Sequence, residues 1–168
     1  MSTDYEEFYK ENPHGLGKPF KEFVSFFAEY KKIAARVLDL GCGQGRDAVF
    51  IARQGHSVVG VDIAETGIKQ LLKDAKKEGL GIEGVVADVK DYVPDSNFDV
   101  VVIDRTLHML SEESDRLAVL ENLFSFINKE GYILIADEKK NLPAMEDCLV
   151  KNGLTVTLSH RGFLFVQK

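Results

Sequence analysis

Three glycines at alternate positions, Gly41, Gly43 and Gly45, stand in the run Val37-Leu38-Asp39-Leu40-Gly41-Cys42-Gly43-Gln44-Gly45-Arg46-Asp47. An apolar strand that enters such a turn and then a helix offers bare backbone, unpaired N–H groups and the positive end of a helix dipole. Together these make a floor for a nucleoside with a polar tail, at the carboxyl end of a first strand, where open α/β sheets take their ligands. Asp62 ends the next apolar run, Val58-Val59-Gly60-Val61-Asp62, which places it 62 − 41 = 21 residues after Gly41. An acid at that distance accepts hydrogen bonds from ribose hydroxyls, but nicotinamide sites use the same device. The glycine spacing discriminates better. A dinucleotide turn reads GxGxxG and needs glycine at position 46, where this chain has Arg46, an obstruction to a pyrophosphate laid across the helix start.

These residues need a sheet to hold them. Apolar runs rich in Val and Ile predict strands at Val37–Leu40, Val58–Val61, Glu83–Ala87, Phe98–Ile103, Tyr132–Ala136, Leu154–Leu158 and Phe163–Val166. Helical stripes lie between them: Phe20, Phe23, Val24 and Phe27; Ile68, Leu71, Leu72 and Ala75; and Leu117, Leu120, Leu123, Phe124 and Ile127, with Ser111 as the expected N-cap. A helix over Arg46–Arg53 follows the glycine turn, and a short one over Leu142–Lys151 carries Pro143 in its first turn and stops at Asn152-Gly153. Alternating strands and helices imply right-handed crossovers and a parallel sheet. Only Ser159–Gly162 separates the last two strands, too few residues for a crossover, so those two pair as an antiparallel hairpin.

Composition narrows the function classes. The chain has 168 residues, enough for one domain with a full core, and its 45% hydrophobic and 29% charged content is that of an ordinary globular protein. A formal net charge of −6 argues against a nucleic-acid partner, and Lys73, Lys76 and Lys77 read as one solvated helix face. Cys42 and Cys148 have no metal-ligand or disulfide spacing, so neither a metal site nor an oxidising compartment is expected. No apolar run is long enough to span a bilayer, and the acidic N-terminus resembles neither a signal nor a transit peptide, so the expected location is cytoplasmic.

Asp39-Leu40-Gly41-Cys42-Gly43-Gln44-Gly45 resembles the first motif of the class I S-adenosylmethionine-dependent methyltransferases. Gly60-Val61-Asp62, Ala87-Asp88-Val89, Phe98-Asp99-Val100-Val101-Val102-Ile103-Asp104 and Gly131-Tyr132-Ile133-Leu134-Ile135 resemble later motifs of that family, in order. Gly45-Arg46-Asp47 and the aromatic N-terminal segment look most like its tellurite-resistance and thiopurine methyltransferase branch. The resemblance implies an α/β fold: a single-domain Rossmann-like seven-stranded mostly parallel sheet with an antiparallel last strand and helices on both faces, over residues 1–168. It implies S-adenosylmethionine as cofactor and S-adenosylhomocysteine as product, held by Asp39, Gly41, Cys42, Gly43, Gly45, Arg46, Asp62, Ile63, Asp88, Val89 and Asp104. In that set Asp62 holds the ribose and Asp88 the adenine amino group. Asp39 orients the glycine loop or meets the methionine ammonium, rather than sitting as a solvated loop aspartate. Cys42 reads most simply as a small packed residue between glycines.

The acceptor should approach at Asp104-Arg105-Thr106-Leu107-His108-Met109, after the fourth strand. His108 is the candidate base there, although a lone histidine near an apolar turn is more often structural. Arg105 either binds an acidic acceptor or faces water. In residues 1–32, Tyr5, Phe8, Tyr9, His14 and Phe20 either form a lid over the cofactor or only cover the sheet edge. The chain has no Asn/Asp-Pro-Pro-Tyr/Phe sequence and no basic stretch interleaved with aromatics, which leaves a small molecule as the expected acceptor. A non-catalytic nucleoside-binding module is the alternative, and a nicotinamide-dependent oxidoreductase fits less well.

Overall fold

The structure, a computed structural model, describes residues 4–168. Its frame is a seven-stranded sheet made by β1 (Arg36–Leu40), β2 (Ser57–Asp62), β3 (Ile82–Val86), β4 (Phe98–Asp104), β5 (Ile127–Ala136), β6 (Thr155–His160) and β7 (Phe163–Gln167), in the order β3-β2-β1-β4-β5-β7-β6. β7 runs antiparallel to both its neighbours, and the other pairings are parallel. The hairpin expected from the short final spacer is present. Its two turn residues, Arg161 (φ 44°) and Gly162 (φ 88°), both take the left-handed backbone that matches strand twist in a two-residue turn.

Helices cover both faces. α2 (Lys21–Glu29), α3 (Arg46–Ala52) and α4 (Glu65–Glu78) lie on one, with Phe23, Phe27, Ile51, Ile68 and Leu71 packed against Val37, Val58, Val100 and Val102. α5 (Glu113–Leu123) and α6 (Leu142–Lys151) lie on the other, with Leu120, Leu123, Met145 and Leu149 packed against Leu38, Leu40, Val101 and Ile103. Neighbouring residues of β1 and β4 therefore enter opposite cores, as a sheet buried on both faces requires. All seven residues of β4 are buried.

Two expectations shift. Ile127 begins β5 instead of ending α5: a 3-10 turn at Phe124–Phe126 turns the chain, and β5 pairs Ile127 with Phe98 before a bulge in the pairing. Ser111 is not the N-cap. Glu112 is, while the Arg116 guanidinium donates to the Leu110 carbonyl (2.6 Å) and, more weakly, to that of Ser111 (3.4 Å). β3 connects to β4 through residues 87–97 with no helix. No helix among the described residues is long and apolar enough to cross a membrane.

The N-terminal aromatics divide between two tasks. In α2, Phe23 stacks on Phe165 (centroids 5.7 Å apart) and closes the core. α1 (Tyr5–Glu11) instead lies near the carboxyl ends of the strands, tied to α4: Glu6 accepts from the Thr66 N–H (3.0 Å) and from its hydroxyl, and Gln70 Nε2 donates to the Tyr9 carbonyl (2.9 Å).

Candidate functional site

A cavity of about 280 Å³ opens at the carboxyl ends of β1, β2, β3 and β4, across the point where successive crossovers leave β1 in opposite directions. Gly41, Cys42 and Arg46 reach it from the β1–α3 turn, Asp62 and Ile63 from the end of β2, Asp88 and Val89 from the end of β3, and Asp104 from β4. Tyr5, Tyr9 and Leu16 line it from the N-terminal segment. Of the other expected residues, Asp39, Gly43, Gly45 and His108 do not line it. A larger groove of about 830 Å³ lies at the other end of the sheet, by Phe26, Tyr30 and Tyr132. It faces the amino ends of the parallel strands, carries acids and lysines in equal number, and has no orphaned polar atom among its lining residues.

Backbone conformation and packing both favour glycine at the three turn positions. Each takes a left-handed backbone, φ 77° at Gly41, 54° at Gly43 and 89° at Gly45. The space a Cβ would fill is held by protein: Thr106 Oγ1 at 2.1 Å from it at Gly41, the Tyr9 hydroxyl at 2.4 Å at Gly43, and Leu71 Cδ1 at 2.2 Å at Gly45. The turn is thus shaped by its close packing against β4, α1 and α4. The ligand space lies to one side of it, reached by Gly41 alone of the three.

Asp62 fastens that turn to β2. Its Oδ2 accepts from the Gly43 N–H and its Oδ1 from the Ala64 N–H, both at 2.8 Å, so each oxygen retains acceptor capacity toward the cavity. Burial raises its pKa, and the backbone N–H groups oppose that rise. Asp88 Oδ1 accepts from the Lys90 N–H at 2.9 Å, an Asx turn that opens the β3–β4 connection. Cys42 is buried, and burial holds its thiol well above the usual range, in its unreactive protonated form.

Beneath the cavity lies a cluster of charges on few counter-ions. Arg46 pairs with Asp104 and with Asp47 (3.2 Å), donates to the Leu16 carbonyl (3.2 Å) and sits 5.3 Å over the Phe20 ring. Asp39 is 2% exposed, and Asp39 Oδ2 and Asp104 Oδ1 are buried without a hydrogen-bond partner. Burial, then the charge on Asp47, pushes Asp104 up to about 8. Burial, then Asp47 and Asp104, holds Asp39 well above the carboxylate range. A carboxyl group raised in this way stabilises the fold below its unfolded value of about 4, and that stability is lost as the pH climbs through about 8. The melting temperature of the ligand-free protein should therefore fall between pH 5 and pH 8. Asp104→Asn, which cannot ionise, should reduce that fall by about 4 °C or more. Thermal melts of both proteins at the two pH values check this, and an unchanged slope would take Asp104 out of the titration.

Some contributors were not legible beforehand. Asp47 lines the cavity as part of the cluster, and Thr106 packs on Gly41 while its hydroxyl donates to the Leu40 carbonyl (3.2 Å). Gln44 bonds the Asn12 carbonyl (2.7 Å) and accepts from the Gly15 N–H (3.0 Å), holding the N-terminal segment over the turn. Asp39-x-Gly and the polar residues inside the glycine turn were the available signals; their partners are about thirty residues or more away in sequence. His108 sits in a 3-10 turn, Leu107–Met109, where its N–H donates to Asp137 Oδ2 (3.0 Å) and its Nδ1 is buried without a partner. His14 pairs with Asp74 (2.7 Å) away from the cavity.

A model of the methyltransferase domain family matches residues 31–157. The cypemycin N-terminal methyltransferase of a Streptomyces species is 31% identical over 115 residues, 67% of this chain and 46% of that protein. The 2-heptyl-1-hydroxyquinolin-4(1H)-one methyltransferase of Mycobacteroides abscessus is 31% identical over 103 residues, 60% of this chain and 45% of that protein. TehB of Haemophilus influenzae, a probable S-adenosyl-L-methionine-dependent methyltransferase, is 32% identical over 100 residues, 60% of this chain and 35% of that protein. Its crystal structure superposes with a TM-score of 0.75 at 18% identity, over 98% of this chain and 67% of that one, and so shares the fold. The chain spans about half the length, or less, of these three curated relatives.

Proposed function

The chain belongs to the methyltransferase domain family, and from that premise we propose that it transfers the methyl group of S-adenosylmethionine to a small-molecule acceptor and releases S-adenosylhomocysteine. One observation carries the reading. Asp47, Asp62, Asp88 and Asp104 line the cavity and Asp39 is buried beside them, against Arg46, which is already paired, and Arg105. Two of the carboxyl oxygens, on Asp39 and Asp104, are buried without a partner. That surplus of acid, with Asp39 and Asp104 held protonated by burial until a cation draws their pKa values down, suits a ligand bearing a sulfonium and an ammonium group and disfavours a pyrophosphate.

In this reading Asp62 takes the ribose hydroxyls, Ile63 and Val89 flank the adenine, and Asp88 accepts from its amino group. Gly41, Cys42 and Arg46 border the methionine end, with Asp39 and Asp104 below it; Gly43 and Gly45 act by shaping the turn. The cofactor supplies an electrophilic methyl group on sulfur, and its transfer depends above all on in-line alignment with the acceptor. Tyr5, Tyr9 and Leu16 act as a lid that keeps water from the reacting atoms, where charge is neutralised as transfer proceeds. The acceptor enters at the end of β4. The relative named for a hydroxyquinolone acceptor favours a small molecule there.

Turnover tests this reading. Incubated with S-adenosylmethionine and a panel of small phenols, thiols and carboxylic acids, the protein should yield S-adenosylhomocysteine, measured by mass spectrometry, only when an acceptor is present. Thermal protection by S-adenosylmethionine with no such product from any acceptor would instead make the chain a nucleoside-binding module.

A further inference from the structure

The cavity spans four neighbouring strand ends, roughly 14 Å at about 4.8 Å per strand. Asp62, Ile63, Asp88 and Val89 occupy the β2–β3 half. The β4 half has a different character. Arg105, Met109 and Leu110 line it, with Met109 43% exposed and Leu110 half-buried.

Arg105 is held where it stands. It follows β4 directly, takes a left-handed backbone (φ 54°) uncommon for a residue other than glycine, and donates its N–H to the Ala136 carbonyl at 2.8 Å. Its guanidinium makes no ion pair or hydrogen bond among the described residues. By contrast Arg36, Arg46, Arg53 and Arg116 are each bonded through theirs. The acids that sense Arg105 are engaged elsewhere: Asp104 pairs with Arg46, and Glu138 with Lys140 at 2.9 Å. A cavity dominated by carboxylates thus presents one uncommitted fork of N–H donors, next to an exposed apolar shelf.

Resting on the methyltransferase reading above, we infer that the acceptor is a small apolar carboxylic acid, its carboxylate oriented by Arg105 and its hydrocarbon body laid on Met109 and Leu110; one carboxylate oxygen, through a lone pair that Arg105 leaves free, bonds the methyl carbon as the carbon–sulfur bond breaks, giving a neutral methyl ester and S-adenosylhomocysteine. A planar guanidinium matches a carboxylate in two parallel hydrogen bonds. The surrounding acids disfavour a more highly charged anion such as a phosphate monoester, and the apolar shelf disfavours a small hydrophilic acid.

Matched pairs of probes test this by calorimetry on the protein saturated with S-adenosylhomocysteine: phenylacetate against phenylacetamide, and octanoate against octanamide. Each acid should bind about tenfold or more tightly than its amide. Arg105→Gln, measured at concentrations of S-adenosylhomocysteine that still saturate the variant, should abolish that preference, whereas Arg105→Lys should keep part of it. Acids and amides that bind alike, or a preference that survives Arg105→Gln, would overturn the inference and leave the cofactor reading standing. Failure to bind S-adenosylhomocysteine at all would overturn that reading, and the inference with it.

Discussion

Asp62→Ala should weaken binding of S-adenosylhomocysteine about a hundredfold or more and leave the chain folded. A hydrogen bond to a charged group contributes about 1.5–3 kcal/mol, and Asp62 is proposed to accept two from the ribose. Their loss amounts to roughly 3–6 kcal/mol, or about 100-fold in affinity at the lower end of that range. The substitution also frees the Gly43 and Ala64 N–H groups, which Asp62 holds at 2.8 Å. Both lie beside an open cavity where water can replace the carboxylate, so the cost to folding should stay near 1–2 kcal/mol. Asp62→Asn keeps one acceptor oxygen and should lose only about tenfold. Calorimetry on the three proteins decides the matter, and an unchanged affinity in the alanine variant would remove Asp62 from the sugar.

Gly45→Ala should destabilise the fold by about 2–4 kcal/mol through packing, and the ligand need not be present for the effect. Alanine in the left-handed region costs about 1 kcal/mol or more, and Gly45 lies there at φ 89° and ψ 24°. The new methyl would also stand 2.2 Å from Leu71 Cδ1, in a core that resists extra volume at a cost of about 1–3 kcal/mol. Leu71→Ala alone should cost about 2–5 kcal/mol, because Leu71 is fully buried. Urea unfolding of both single variants and the double variant should give a double-variant loss smaller than the sum by about 1 kcal/mol or more, since shortening Leu71 makes room for the methyl. A stable Gly45→Ala protein that had lost only ligand affinity would show that the bare position faces the cofactor after all.

That contrast marks how far the sequence could be read. The seven strands were legible because each is a short run of β-branched, aliphatic or aromatic residues bounded by turn residues, and the hairpin because Ser159–Gly162 is too short for a crossover. The end of α5 was not, because Leu120, Leu123, Phe124 and Ile127 keep helical spacing while a 3-10 turn carries the last of them into β5. Likewise Asp39, Gly41 and Asp62 stood out by spacing, and the structure brings the last two to one cavity with Asp88 and Asp104. What occupies the Cβ space of the glycines was out of reach, since Tyr9, Leu71 and Thr106 lie 26 to 65 residues from them and no local pattern reports such contacts. Of the N-terminal aromatics, Tyr5 and Tyr9 border the cavity, while Phe20 packs edge-on against Phe163 at 5.5 Å between centroids. His108, a candidate base or a structural histidine by its sequence setting, does not itself line the cavity.

Titration calorimetry with S-adenosylhomocysteine and, separately, with NADH tests the central claim most directly. A cavity rich in aspartates that accepts a nucleoside bearing an ammonium group and refuses a pyrophosphate should bind the first with one-to-one stoichiometry in the micromolar range and show no heat of binding for the second. Binding of NADH without binding of S-adenosylhomocysteine would contradict the account.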